Sequence, residues 1–358
     1  MFCTRCQRAY PAEYRFCPVD GAPTSAQAPL DRVRPQKTRA SDTLLADRYV
    51  VRGFIGKGGM ARVYLAEDVD SGEPVAVKVL EEPFSRDPQA RERFLREAQA
   101  IAAIGHPHIA RVLGAGARED DGAPYLVLEF LFGETVQSFL EREGTFATGM
   151  ALAVLCQAAE ALDAAHTHGI IHRDVKPGNL FLVGEPGDPY ELKVVDFGLS
   201  KLQTSHMTAA GIVLGTPAYM APEQVLAEGV DARTDVYALG MVMYRMLTGR
   251  HAFHAEDEIA MVAHQLLSPL RPLSLKDAGL APGLERAILC ATRKSPDERY
   301  PTMDAMLADL QKLAAGRTDL TAPVPTGIDR YVPRTEIGEL VATSLARALE
   351  ADERPTMM

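Results

Sequence analysis

One run constrains this chain more than any other. It reads His172-Arg173-Asp174-Val175-Lys176-Pro177-Gly178-Asn179, and after a short strand pattern comes Asp196-Phe197-Gly198. Two carboxylates and an amide are thereby brought to loops that flank a single short strand. The surrounding chain has two textures. Residues 47 to 130 carry short β-branched runs, Tyr49–Val51, Val63–Leu65, Val75–Leu80 and Tyr125–Leu128, interrupted by one clear helix pattern over Pro88–Ile104. Residues 148 to 314 are mostly long helical patterns. The fold class is α+β, with a strand-rich part ahead of a helical part.

With 358 residues the chain can hold one large domain and appendages. The net charge of −10 argues against a diffuse nucleic-acid-binding surface and against a polybasic membrane tether. The longest apolar stretch, Val236 to Leu247, is interrupted by Tyr244 and Arg245 and is too short for a membrane span. Met1-Phe2-Cys3 runs directly into a cysteine pattern instead of a signal peptide, which predicts a reducing, cytoplasmic setting. The five cysteines are then metal ligands or core residues, with Cys156 and Cys290 in apolar helical runs. Composition divides the chain into a cysteine-bearing segment (1–21), a flexible linker (22–46), a globular domain (47–315) and a mostly disordered polar tail (316–358). In the tail Ile337, Leu340, Val341, Leu345 and Leu349 fall at helical spacing and predict one short amphipathic helix, which docks on its own domain or frays.

Ile55-Gly56-Lys57-Gly58-Gly59-Met60-Ala61-Arg62-Val63 joins two strand patterns. Glycines there let the backbone pass close to phosphate oxygens and present amide donors, although a plain hairpin turn would use the same residues. Alternation along Val75-Ala76-Val77-Lys78 puts Lys78 with Ala76 on one face, opposite Val75, Val77 and Val79. On the helix that follows, Phe94, Ala98, Ile101 and Ile104 make an apolar stripe, and Glu97 lies on it. A charge so placed wants a partner, and Lys78 is assigned to it; Glu92, the other carboxylate considered, falls off the buried face.

The ordered set Lys78, Glu97, Asp174, Asn179 and Asp196 resembles the protein kinase superfamily, more closely its bacterial serine/threonine branch. The resemblance implies a bilobal fold, with a small β-rich lobe carrying one main helix and a larger helical lobe. It implies Mg-ATP as cosubstrate. Ile55 to Ala61, Val63, Ala76, Lys78 and Glu97 would surround the nucleotide, with Lys78 on its α- and β-phosphates. Ala61 departs from the family's third loop glycine, and its small side chain still allows close approach. Tyr125-Leu126-Val127-Leu128-Glu129-Phe130-Leu131 resembles the strand and hinge, with Leu128 at the back of the adenine pocket and backbone groups around Glu129 and Leu131 on the adenine edge. Asp174 would accept or orient the substrate hydroxyl proton, and Lys176 would neutralise the transferring phosphoryl. Asn179 and Asp196 would hold magnesium through oxygen, which suits that ion. His172 and Phe197 are packing residues in the family.

The segment from Asp196 to Glu223 ends Gly215-Thr216-Pro217-Ala218-Tyr219-Met220-Ala221-Pro222-Glu223, a protein-substrate feature by resemblance, with Thr216 bridging toward Asp174 and Lys176. Thr204, Ser205 and above all Thr208 are candidate phosphosites, with Arg173 and Lys201 as a phosphate clamp; Ala210 stands where some relatives carry a second threonine. Glu223 with Arg299 resembles a buried ion pair, and Asp235 a buried anchor for the catalytic loop. The competing reading is a scaffold protein on the same fold that has lost catalysis, and a small-molecule kinase is a further one. At the N-terminus Cys3, Cys6 and Cys17 with Asp20 look like a zinc ribbon with one carboxylate ligand, serving as a protein-docking module.

Overall fold

The computed structural model describes residues 2–3, 24–25, 44–45, 48–184, 190–197, 217–255, 257–270, 283–323, 329, 331–333, 335, 338–339 and 341–346, the first three pairs as backbone. They fall into two compact units. One comprises Met1–Gly105, Ile109–Glu134 and Phe181–Tyr190; the other comprises His106–His108, Thr135–Leu180 and Glu191–Met358.

The first unit is built on β3 (Leu44–Leu45), β4 (Tyr49–Lys57), β5 (Ala61–Asp68), β6 (Pro74–Leu80), β7 (Val112–Ala117) and β8 (Pro124–Glu129). They form one antiparallel sheet in the order β3-β4-β5-β6-β8-β7. The β-branched runs expected from the sequence lie in β4, β5, β6 and β8. Pleating sends Val75, Val77, Val79, Tyr125 and Val127 to one face, where they bury together with Tyr49, Ala66 and Ala123. β7 carries no strand signal of its own, because Gly114 and Gly116 are poor strand formers. The strand forms because Tyr125 of β8 lies across it: a Cβ on Gly116 would come within 2.5 Å of the Tyr125 hydroxyl. Two short pairings involve residues of the expected flexible linker. β1 (Phe2–Cys3) pairs with β2 (Thr24–Ser25), and β3 extends the main sheet.

α1 (Pro88–Ile104) has the expected boundaries, and its ends show why. Asp87 caps the first turn by accepting from Gln89 N, Pro88 occupies the first helical position, and Gly105 leaves in the left-handed conformation at φ 60°. The helix packs on β7 and β8 through Ala90, Phe94, Ala98 and Ile101.

Three short strands follow, β9 (Gly133–Thr135), β10 (Leu180–Val183) and β11 (Glu191–Val194). The second unit is helical: α2 (Val136–Glu143), α3 (Thr148–Thr167), α4 (Pro222–Val225), α5 (Ala232–Thr248), α6 (Glu258–Leu267), α7 (Leu284–Ala291) and α8 (Met303–Ala314). The apolar stretch that ends α5 is a core helix, buried on nearly all sides from Thr234 to Leu247. It packs against α3, α7 and α8. At Gly240 a Cβ would lie 2.7 Å from that of Ala291, so glycine lets α7 come this close. Among the described residues no helix is long and apolar enough to cross a membrane. Cys290 is fully buried and Cys156 half-buried; burial pushes their thiols up to about 12 and about 11.

Where the tail is described, it lies ordered against the helical unit. Leu320, Ala322 and Tyr331 are buried, and residues 338–339 and 341–346 are helical. Val341, Ala342 and Leu345 pack on Val225, Leu226, Val262 and Leu266. The predicted amphipathic helix therefore docks on its own domain; Ile337, Leu340 and Leu349 lie outside the described residues. Asp309 of α8 ties the start of the tail, accepting from Thr321 N (2.8 Å), Thr321 Oγ1 (2.9 Å), Ala322 N (2.8 Å) and Lys312 Nζ (3.0 Å). Burial opposes its ionisation, but the Thr321, Ala322 and Lys312 donors prevail and hold the carboxyl below the usual range.

Asp309→Asn should destabilise the protein at pH 7 by about 1–3 kcal/mol. The sign of the pH dependence follows from the lowered carboxyl. Its contribution is complete above the unfolded value of about 3.9 and disappears as pH falls through the native one. Denaturant midpoints of wild type and variant should therefore converge on acidification below about pH 4.

Candidate active site

In the helical unit, the loop carrying Asp174 is hung on Asp235, which sits in the first turn of α5 and is completely buried. Its Oδ2 accepts from His172 N (2.8 Å) and its Oδ1 from Arg173 N (2.8 Å), while His166 Nε2 lies 2.7 Å from Oδ2. Arg173 is held in the left-handed region at φ 66°, a strained place for a non-glycine residue. Its carbonyl accepts from Gln224 Nε2 at 2.8 Å, so both of its backbone polar groups are fixed.

His172 is fully buried. Its Nδ1 accepts from Asp174 N (3.2 Å), so the ring proton is on Nε2 and donates to Val195 O (3.0 Å). The ring packs on Phe197 with centroids 4.5 Å apart. Both nitrogens are thus engaged by backbone, and His172 acts as a strut between two loops and has no free nitrogen for proton transfer.

Asp174 Oδ2 receives Lys176 Nζ at 2.8 Å and Asn179 Nδ2 at 3.0 Å. Asn179 Nδ2 also donates to Asp174 O at 2.7 Å. The amide nitrogen of Asn179 is therefore spent on Asp174, which leaves its Oδ1 as the atom to offer a cation. Among the described residues, no donor meets Asp174 Oδ1. Val195 N donates to Asn179 O (3.0 Å), which ties the next loop to this one. Asp196 follows, exposed and in the left-handed region at φ 63°. An amide oxygen and a carboxylate are a hard-oxygen donor set, as Mg²⁺ requires.

C-terminal to this loop, Glu223 and Arg299 form a fully buried two-bond pair at 2.8 Å and 2.8 Å. Thr234 Oγ1 adds a bond to Glu223 (2.7 Å), and Arg299 also donates to the carbonyls of Arg293, Lys294 and Arg233. The Gly198–Thr216 stretch, with Lys201, Thr204, Ser205, Thr208 and Ala210, lies outside the described residues.

In the strand unit, the sheet register gathers the other expected residues on one face. Gly56, Val63, Lys78 and Leu126 form one cross-strand row, and Gly53, Leu65, Ala76 and Leu128 form the next. This face lies opposite the Val75–Val77–Val79 cluster. Lys78 is buried on it. Glu97 is half-buried on α1 and Glu92 is exposed, as the stripe implied. The β4–β5 turn closes with Gly58 N donating to Ala61 O (2.8 Å), and Ile55 falls at the bulge between Phe54 and Gly56. Met60 and Ala61 are buried at the turn, and Met60 O accepts from Glu81 N.

Neither Gly53 nor Gly56 has a positive φ, and a Cβ on either would meet nothing within 4 Å. Packing among the described residues does not explain these glycines. Lys57 pairs with Glu81 at 3.4 Å. At the strand's end the N–H of Glu129 donates to Arg111 O and its carboxylate receives Arg111 N and Nε. The N–H and side chain of Glu129 are therefore not what meets a base edge.

Of the N-terminal quartet, Cys3 is described only as backbone of β1; Cys6, Cys17 and Asp20 lie outside the described residues. Among the described residues no group of three or more His, Cys, Asp or Glu side chains is arranged to hold a metal.

A strand unit with one principal helix, a helical unit, and a loop that fixes an aspartate beside a lysine and an asparagine together define a protein kinase. The protein kinase domain family matches residues 49–301, and the chain belongs to that family. It is 44% identical over 272 residues to the serine/threonine-protein kinase Pkn1 of Myxococcus xanthus, covering 75% of this chain and 38% of Pkn1. It is 38% identical over 291 residues to the serine/threonine-protein kinase PknB of Mycolicibacterium smegmatis, covering 80% of this chain and 46% of that protein. The chain thus spans less than half the length of these curated relatives. The crystal structure of the Mycobacterium tuberculosis PknI kinase domain is similar with a TM-score of 0.59 at 28% identity, covering 76% of this chain and 98% of that one.

Asp235→Asn keeps one acceptor and turns an N–H2 toward a backbone N–H. Hydrogen exchange at the His172 and Arg173 amides should rise at least about tenfold, while α3 and α5 keep their protection.

Proposed function

We propose that this chain is a protein-serine/threonine kinase that transfers the γ-phosphoryl of ATP, with magnesium, to serine and threonine hydroxyls of proteins. The observation that carries the reading is the cluster at Asp174, where one carboxylate oxygen holds Lys176 and Asn179 and the other is left for a substrate hydroxyl. The naming of Pkn1 and PknB as serine/threonine-protein kinases supports the choice of substrate class.

In this reading Asp174 Oδ1 accepts the hydroxyl proton and aims the oxygen at the phosphoryl. Lys176, pinned 2.8 Å from Oδ2, offers its charge to the transferring group. Asn179 Oδ1 and the Asp196 carboxylate hold the metal. Magnesium, when bound, offsets the negative charge of the phosphate oxygens. Lys78 meets the α- and β-phosphates, Glu97 orients Lys78, and Gly56 to Ala61 give backbone amides to the phosphates. Val63, Ala76 and Leu128 make the apolar walls for the base, and the Glu129 and Leu131 backbone meets its edge. Turnover belongs in the range of about 1–100 s⁻¹. A scaffold would be expected to lack Lys78, Asp174, Asn179 or Asp196, and all four are present.

Activation follows from phosphate on Thr208, which Arg173 and Lys201 clamp and so order the segment. The N-terminal Cys3, Cys6, Cys17 and Asp20 are proposed to bind one zinc ion in a module that docks a protein partner. ATP as donor fits a reducing cytoplasm, the setting in which thiols bind metal.

Purified protein given Mg-ATP should incorporate phosphate, with Thr208 among the sites by mass spectrometry. Asp174→Asn should lower the rate by about 10²–10⁴-fold, and chelating magnesium should abolish it. A folded protein that incorporates nothing with magnesium supplied overturns the reading. Elemental analysis should find one zinc per chain, lost in a Cys3→Ser, Cys6→Ser double variant; zinc-free wild type purified under reducing conditions rejects that module.

A further inference from the structure

Two unmatched donors stand together on the helical unit. Tyr219 is 6% exposed, and its hydroxyl has no hydrogen-bond partner among the described residues; the buried Nε of Arg245 has none either. Tyr219 ends the short turn Pro217–Tyr219, which packs on α5 and α6. Arg245 lies in the last turn of α5 and is half-buried, with one guanidinium nitrogen donating to Gly249 O at the helix end. Burial pushes the Tyr219 hydroxyl up to about 12, against which the Arg245 charge works, so the cation stands within electrostatic reach of that hydroxyl. His251 is exposed, and its ring meets the Tyr219 ring edge-on with centroids 5.9 Å apart. Desolvation on that side, and after it the Arg245 charge, hold the imidazole below its ordinary value. Among the described residues no carboxylate pairs with Arg245 or acts on Tyr219 or His251.

An orphaned buried donor is costly, and two of them beside one positive charge call for an anionic acceptor. Capping of α5 through Gly249 accounts for one nitrogen of Arg245 and leaves its Nε and the Tyr219 hydroxyl unexplained. The turn also belongs to the reacting part of the molecule. Gln224 Oε1 accepts from Ala221 N (3.1 Å), and Gln224 Nε2 donates to Arg173 O (2.8 Å). The chain two residues beyond Tyr219 is thereby tied to the residue that precedes Asp174.

We propose that Arg245, Tyr219 and His251 form a subsite for an acidic side chain of the protein substrate. The enzyme would then select a serine or threonine with an aspartate or glutamate close by in sequence. The guanidinium supplies charge, the Tyr219 hydroxyl a second donor and the His251 ring an N–H at the rim. Arg245 is already held by Gly249 O, so little side-chain freedom is lost when the acid arrives. This inference rests on the kinase reading above and states which protein chains that kinase accepts.

The test uses the full-length protein, Mg-ATP and peptides built around one threonine. An aspartate is moved through the five positions on either side, with matched peptides carrying alanine or arginine. At one position wild type should favour aspartate over alanine about ten- to a hundredfold in kcat/KM, and disfavour arginine. The ratio should fall several-fold in Tyr219→Phe and to near one in Arg245→Gln, and Arg245→Glu should reverse it in favour of arginine. Thermal unfolding of each variant separates lost selectivity from lost structure. A ratio near one at every position in wild type overturns the subsite. So does a ratio that Arg245→Gln leaves unchanged while the melting temperature falls, which assigns Arg245 to capping alone. A preference that emerges only after phosphatase treatment shows that the chain's own phosphate fills the site, and overturns the proposal too. If neither peptide nor protein is phosphorylated, the kinase reading fails by itself, and fluorescence anisotropy of the same peptides decides the subsite. Tighter binding of the aspartate peptide, lost in Arg245→Gln, upholds it; equal binding of aspartate and alanine peptides overturns it.

Discussion

Asp235 is the interaction on which the catalytic half depends. A carboxylate at zero exposure is costly unless donors surround it. Here the donors are two successive backbone amides, at His172 and Arg173, and a histidine. The cost of burying the charge is met by the loop that must be positioned, so anchor and loop stabilise each other. Because both amides of a loop point into one carboxylate, the backbone between them must turn sharply, and Arg173 takes a positive φ. That turn places Asp174 N on His172 Nδ1 and sends the Asp174 side chain toward Lys176 and Asn179. A strained residue, a histidine tautomer and the placement of the Asp174 carboxylate therefore follow from one buried aspartate. Substitutions there should act on geometry before they act on charge at the reacting atoms.

The same device recurs through the helical unit. Glu223 is held by Arg299 and Thr234, Asp309 by Thr321, Ala322 and Lys312, and Glu228 by Tyr331 and Thr335. In each case a carboxylate on or beside a helix receives donors from a later segment of the chain, to which Lys312 of the same helix is added at Asp309. Hydrophobic packing of α3, α5, α7 and α8 supplies most of the driving force but is tolerant of register. Directional bonds to buried carboxylates fix which loop meets which helix.

Much of this was legible in the chain. α1 could be bounded to the residue because Pro88 and Gly105 punctuate a clean apolar stripe, and the face of Lys78 followed from strict alternation. Asp174, Asn179, Asp235, Glu223 and Arg299 were legible through resemblance, since no local pattern marks a loop aspartate as buried or catalytic. β7 was not legible, because Gly114 and Gly116 weaken any strand pattern there and the Tyr125 ring that covers Gly116 belongs to the neighbouring strand. How the described part of the tail docks was not legible, because its composition is polar and its apolar residues are sparse. What orders it is a surface made by α4 and α6, which no window of sequence contains. Lys294 is a further instance: it reads as a surface lysine but is fully buried, donating to Gln265 O at 2.7 Å above the Phe253 ring. Burial lowers its pKa to about 7, with the nearby Arg299 charge adding to the shift and the Asp329 carboxylate opposing it.

The strand unit shows the complementary principle, in which function is marked by what is missing. Its core face is filled by Val75, Val77, Val79, Tyr125 and Val127, each buried. On its other face the cross-strand rows run Gly53–Leu65–Ala76–Leu128 and Gly56–Val63–Lys78–Leu126, with only hydrogen at the β4 end of each. A sheet built only for stability would place β-branched residues at those two positions, since nothing among the described residues would obstruct them. Leaving them empty forgoes burial and admits backbone entropy, a cost of about 0.5–1 kcal/mol for each glycine in a strand. The cost is intelligible if a planar, charged ligand lies along that face with its phosphates over the turn. Ala61 fits the same account: at 2% exposure it is already enclosed by the chain, so a methyl there takes no space from a ligand. Ala61 and Gly56 thus differ in one respect: a Cβ at Ala61 is enclosed by protein, whereas one on Gly56 would meet nothing within 4 Å among the described residues.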